Sequence, residues 1–157
     1  MGIVNTEIKQ KTIKKAVSLV GVGLHTGKNV TLTFKPALAN TGLAFKRVDL
    51  EGMPIIEADA SYVTNTQRGT CLEKNGVTIQ TSEHVLAALV GMDVDNVILE
   101  LNASEPPIMD GSSKFFVKAI EDAGIVELDA FREEYVITDV ISYTDEESGS
   151  EILVMPC

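Results

Sequence analysis

At 157 residues and 45% hydrophobic composition, the chain is long enough for one domain with a sizeable core and too apolar for a disordered segment. No run of about 18 apolar residues occurs and residues 1 to 15 are polar and basic without an apolar secretory segment, so neither a membrane-spanning helix nor export is indicated and the cytoplasm is the expected location. The net charge of −10 argues against general nucleic-acid binding, which depends on neutralising phosphates. The charge is uneven: residues 1 to 50 carry net +6 and the remainder −16. The basic portion has the charge to meet an anionic small molecule, but Lys9, Lys11, Lys14 and Lys15 read more simply as solvating a strand edge. Two cysteines far apart, Cys71 and Cys157, make no disulfide framework, and Cys71 in a short strand-like run reads as a small buried residue.

In chain order, Thr12 to Val20 predicts a strand with imperfect alternation that ends in Gly21-Val22-Gly23-Leu24-His25-Thr26-Gly27. Three glycines in seven residues mark a loop. It is not a dinucleotide fingerprint, because the glycine spacing is wrong and Val30 to Phe34 continues as a strand where a helix should open. Pro36 ends that strand, Asn40-Thr41-Gly42 turns the chain, and Leu43 to Val48 returns as another. Residues 50 to 60 read as irregular. Short extended pieces follow at Tyr62 to Thr66, Thr70 to Glu73 and Val77 to Gln80, with Asn75-Gly76 a tight-hairpin signal between the last two.

The next stretch, Thr81-Ser82-Glu83-His84-Val85-Leu86-Ala87-Ala88-Leu89, predicts a helix over about 82–91. Val85, Leu86, Leu89 and Val90 form its apolar side, and the hydroxyl of Thr81 or Ser82 is placed to accept from a first-turn amide. Docking on a core would hold Glu83 and His84 near the helix N-terminus, where the macrodipole favours a carboxylate and disfavours an imidazolium. Neutral imidazole is the metal-binding form, and a neighbouring carboxylate suits a general base for water. The two zinc-protease helix signatures are excluded, since Glu83 precedes its histidine and position 80 is Gln80. With only His25, His84 and two cysteines, the chain cannot readily give three strong ligands to one zinc; any zinc site here is incomplete.

Asn96 to Leu101 predicts a strand, and Asp110 or Ser112 is placed to cap a second helix over about 112–123. Phe115, Phe116, Ala119, Ile120 and Ala123 form its apolar side and Gly124 its stop. Beyond it, Val126 to Phe131 is short and Arg132-Glu133-Glu134 polar. Tyr135 to Tyr143 and Glu151 to Met155 predict two strands joined by the acidic turn 145–149, which either join the first sheet or begin another domain. The fold class expected is α+β, a mostly antiparallel sheet layered against two main helices.

Four segments, Gly21 to Gly27, Thr81 to Leu89, the Asp95-Asn96 turn into its strand, and Pro107-Ile108-Met109-Asp110-Gly111-Ser112, occur in the order and form seen in the N-terminal half of the zinc-dependent UDP-3-O-acyl-N-acetylglucosamine deacetylases of lipid A synthesis. The resemblance runs from about Ile8 to the end. It implies two domains of similar topology in the parent, each a sheet layered with helices, with the active site between the helical layers. It places an N-terminal deacetylase domain at 1–132 and the start of a second domain at 133–157, so that the chain is part of a longer protein.

By the same resemblance His84 is a ligand of one zinc ion per active site and Glu83 the general base. The other ligands, a histidine and an aspartate, fall in a C-terminal domain outside this sequence, together with much of the surface for a UDP-sugar lipid substrate. His25 and Asp110 lie in motifs on the active-site side and are candidates for a supporting role. The stretch Thr66-Gln67-Arg68-Gly69 departs from the family, which often has apolar residues at the last two positions, so substrate contacts are not carried over there. The contrasting expectation is a non-catalytic binding or assembly module in which Glu83 and His84 merely cap a helix.

Overall fold

The computed structural model describes residues 2–156, so the second cysteine, Cys157, lies outside the described residues. The described chain is α+β, with two α-helices and mostly antiparallel strands. It divides into two compact units, one of Gln10–Asp129 and a smaller one of Met1–Lys9 with Ala130–Cys157.

The larger unit is built on a five-stranded sheet of β2 (Val17–Val22), β3 (Asn29–Pro36), β4 (Leu43–Arg47), β5 (Ile55–Glu57) and β9 (Val97–Leu101), in the order β2-β3-β9-β4-β5. Only the β4–β9 pair is parallel. Strict alternation puts Val30, Leu32 and Phe34 of β3 and Val97, Leu99 and Leu101 of β9 on one buried face, in register Leu32 to Leu101 and Phe34 to Leu99. The opposite face is polar and carries Ser18 against Thr33 and Lys35 against Glu100 at 2.8 Å. A sheet with one apolar and one wet face needs a single covering layer, and two helices supply it.

Those helices are α1 (Glu83–Gly91) and α2 (Lys114–Ala123). Phe116 of α2 meets Phe34 of the sheet with ring centroids 6.4 Å apart and planes tilted by 47°, a geometry that adds about 0.5–1.5 kcal/mol to area burial. Gly124 ends α2 at φ 72°, as its position after the apolar stripe predicted. Each predicted apolar side loses one member. Val85, Ala88 and Leu89 are buried in α1, but Val90 is 70% exposed; Phe116, Ala119, Ile120 and Ala123 are buried in α2, but Phe115 is 41% exposed. Both lie at the flank of a stripe wider than the core it meets.

A three-stranded sheet of β6 (Val63–Asn65), β7 (Cys71–Lys74) and β8 (Val77–Ile79) leads into α1. Asn75 and Gly76 close its hairpin with φ of 52° and 77°, the mirror-image turn that Asn-Gly favours. Arg47 joins the two sheets, donating to Thr78 O at 3.0 Å while Asp49 clamps its guanidinium at 2.8 and 2.7 Å. The Asp95-Asn96 turn pins the chain entering β9: Asn96, buried, accepts from Gly42 N at 2.9 Å and donates to Gln10 Oε1 at 3.0 Å.

Four expectations change along the chain, one of them the strand predicted from Tyr135 to Tyr143, since residues 137–140 are not strand. The strand predicted from Thr12 to Val20 is broken at residues 14–16, so that β1 (Gly2–Ile13) ends before β2 begins. The stretch 50–60 contains β5. Beyond α2, β10 (Ile125–Val136) runs through the polar Arg132-Glu133-Glu134 without a break. β1 pairs with β10, and β11 (Ile141–Thr144) with β12 (Glu151–Val154) makes a separate antiparallel hairpin in register Ile141 to Val154.

Candidate active site at the mouth of the first helix

The mouth of α1 is built by hydrogen bonds from the β6–β7 connection. Ser82 is its N-cap residue but makes no side-chain cap; its Oγ and its N–H both donate to Thr70 O, at 3.1 and 3.2 Å. Thr81 does not cap either. Its backbone is left-handed at φ 52°, unfavourable for a β-branched residue, and its hydroxyl donates to Glu105 Oε1 at 3.0 Å. The predicted hydroxyl cap is therefore replaced by two hydroxyls that fasten the approach to the helix onto neighbouring segments.

Glu83 is held by the same connection. Thr70 N donates to its Oε2 at 2.8 Å, and Oε1 lies 3.8 Å from Nε2 of His84. The separation is too long for a hydrogen bond and short enough for both groups to reach one small molecule. Their side chains are 37% and 32% exposed, so the pair faces outward from the core on a rigid first turn. Gly69 makes the carboxylate's position accessible: at φ 152° a side chain is disfavoured, and a Cβ would come within 3.3 Å of Glu83 Oε1.

The other predicted residues occupy defined places. His25 lines a polar pocket of about 230 Å³ together with Arg68, Gly69, Cys71, Gln80 and Thr81. Cys71 is thus half-buried at a pocket wall, where a fully buried residue was expected. Asp110 is exposed at the start of the α2 approach and accepts from Ser112 N at 3.0 Å and Ser112 Oγ at 2.7 Å, and Ser112 Oγ in turn accepts from Lys114 N at 3.2 Å. Those bonds to Ser112 hold its carboxyl below the usual range. Asp110 caps through Ser112, and the next residue, Ser113, donates from Oγ to His84 O at 2.8 Å. The Asp110 loop is in this way tied to the helix turn that carries the imidazole.

One residue absent from the sequence reading joins the motifs. Glu105, fully buried, accepts from His25 N at 3.1 Å, Thr26 N at 3.0 Å, Thr26 Oγ1 at 3.1 Å and Thr81 Oγ1 at 3.0 Å. Burial, the largest single influence, pushes its pKa up, but the Thr26 and His25 amides and the two hydroxyls outweigh it and the net shift is downward. A signal existed in the sequence: a glycine-rich loop exposes consecutive amide donors and calls for an anion.

Among the described residues no group of three or more His, Cys, Asp or Glu side chains gathers to hold a metal ion. A four-coordinate zinc site takes three protein ligands and an open position. By residue type and exposure, His84 suits one such ligand and Glu83 suits a carboxylate beside the open position.

The fold and this helix mouth define an α+β domain that presents one carboxylate and one imidazole, supported from three separate motifs. The chain belongs to the UDP-3-O-acyl N-acetylglycosamine deacetylase (LpxC) family, whose model matches residues 10–157. It is 48% identical over 149 residues to a bifunctional enzyme LpxC/FabZ of Bacteroides thetaiotaomicron, covering 95% of this chain and 32% of that protein. It is 46% identical over 147 residues to a UDP-3-O-acyl-N-acetylglucosamine deacetylase of Idiomarina loihiensis, covering 93% of this chain and 48% of that protein. The chain therefore spans less than half the length of each of these relatives. No helix among the described residues is long and apolar enough to cross a membrane.

Proposed function

We propose that the full-length protein is a cytoplasmic zinc-dependent deacetylase that removes the acetyl group from UDP-3-O-acyl-N-acetylglucosamine in lipid A biosynthesis. This chain supplies the first of two halves of the site, the second domain starting near Glu133 and carrying the other half beyond this sequence, and is inactive alone. The observation that carries the reading is the half-exposed Glu83–His84 pair, with the carboxylate oriented by Thr70 N–H at 2.8 Å.

The reaction is amide hydrolysis. Zinc, when bound, polarises the acyl carbonyl and acidifies water towards a pKa of about 7, and His84 is one of the residues that would hold it. Glu83 is the general base. It takes a proton from the attacking water as the new C–O bond forms, and returns it to the amine nitrogen as the C–N bond breaks, giving acetate and a free amine. Because Thr70 N–H occupies Oε2, the oxygen on the His84 side, Oε1, is the one assigned to proton transfer.

The test is turnover by the full-length protein and its Glu83→Ala variant. Loss of most acetate release in the variant supports the assigned base; unchanged release removes it.

A further inference from the structure

We infer that Glu105 is a positioning residue for the Glu83–His84 pair, its buried carboxylate locking the glycine-rich loop and the strained turn before α1 to each other. The inference rests on the reading of that pair as the reacting half-site. Oε1 accepts from His25 N and Thr81 Oγ1, and Oε2 from His25 N, Thr26 N and Thr26 Oγ1, all at 3.0 to 3.1 Å. The loop is shaped to receive it. A Cβ at Gly23 would lie 2.6 Å from Glu105 Oε2 and 2.4 Å from Thr26 Oγ1, and one at Gly21 would lie 2.9 Å from Pro107 Cβ, so each glycine makes room for the segment 105–107. At the other end Thr81, at φ 52°, directly precedes Ser82, which is anchored on Thr70 O; Thr70 N in turn holds Glu83.

One carboxylate thereby couples His25, which lines the adjoining pocket, to the helix turn that carries the base and the imidazole. A neutral carboxamide of the same shape does part of this. Its single oxygen, at the Oε2 position, serves Thr26 N and His25 N, and the Thr81 hydroxyl turns round to accept from the amide, but the charge and the second acceptor of the forked His25 N–H bond are lost. An apolar side chain does none of it. Glu105 is fully buried, so its effect falls on the placement of reacting groups, where an error of about 1 Å costs about a hundredfold in rate.

The experiment compares Glu105→Gln, Glu105→Leu and Glu83→Ala in the zinc-loaded full-length protein, measuring kcat and KM per folded molecule and hydrogen–deuterium exchange of segments 23–27 and 81–84. The expected result is a kcat lower by about tenfold for Gln and about a hundredfold for Leu, KM within about twofold, and faster exchange in both segments. Unchanged exchange in either segment, or a wild-type kcat in both variants, overturns the inference; if Glu105→Leu does not fold, Glu105→Gln decides alone. Wild-type turnover by Glu83→Ala would mean that the half-site reading has failed, and exchange in the two segments then decides on the clamp by itself.

Discussion

Thr70 N donates to Oε2 of Glu83 at 2.8 Å while Thr70 O receives both the N–H and the hydroxyl of Ser82, so a single residue of the strand connection fixes the first turn of α1 from two sides. The carboxylate's direction is therefore set by backbone, independently of the imidazole beside it. This makes the site sensitive to the residues next to Thr70.

Gly69 is the most exposed to test. Gly69→Ala forces a side chain into a backbone at φ 152° and brings its Cβ to 3.3 Å from Glu83 Oε1. The expected cost is about 1–3 kcal/mol of stability from the backbone, read by urea unfolding. In the full-length protein turnover should fall further than the lost stability explains, because the new methyl displaces the carboxylate.

The two adjacent phenylalanines of α2 should separate cleanly. Phe116→Ala opens a cavity between helix and sheet and should destabilise by about 3–5 kcal/mol. Phe115→Ala, at an exposed flank, should cost about 1 kcal/mol or less. Equal unfolding midpoints for the two variants would contradict the observed face of the helix.

Acid should unfold the chain through its depressed carboxyls. Arg47's hydrogen bond holds Asp49 below its ordinary 3.8, and Glu105 lies net below its ordinary 4.5 because its amide and hydroxyl donors outweigh burial. A folded pKa below the unfolded one contributes stability that is fully present above the unfolded value and lost as pH falls through the folded one. Unfolding free energy measured by urea should therefore be level in this respect above about pH 5 and drop below about pH 4.5, with a shallower drop in Glu105→Gln.

Local signals carried much of this structure in the sequence. Asn75-Gly76 reads as a tight turn because its mirror-image geometry needs residues that accept positive φ, and Gly124 reads as a helix stop for the same reason. The helix mouth was legible because Glu83 and His84 are adjacent and a single helix turn places both. Other features depend on distance along the chain. Val90 and Phe115 belong to apolar stripes whose period is correct, but period alone does not say which flank meets the core. β10 is mostly exposed along its length, so no alternating signal marks it, and the polar run 132–134 looked like an interruption. Glu105 finds its partners 80, 79 and 24 residues away, and the two hydroxyls expected to cap α1 bind elsewhere because that folded neighbourhood offers better acceptors.

The central claim is that Glu83 and His84 are one half of a zinc site, with different duties. It is tested most directly by the zinc content of the purified full-length protein and its two alanine variants. The account predicts about one zinc per chain in the unaltered protein and in Glu83→Ala, and strongly reduced zinc in His84→Ala. Full zinc retention by His84→Ala, or a zinc-free unaltered protein that still releases acetate, would contradict it.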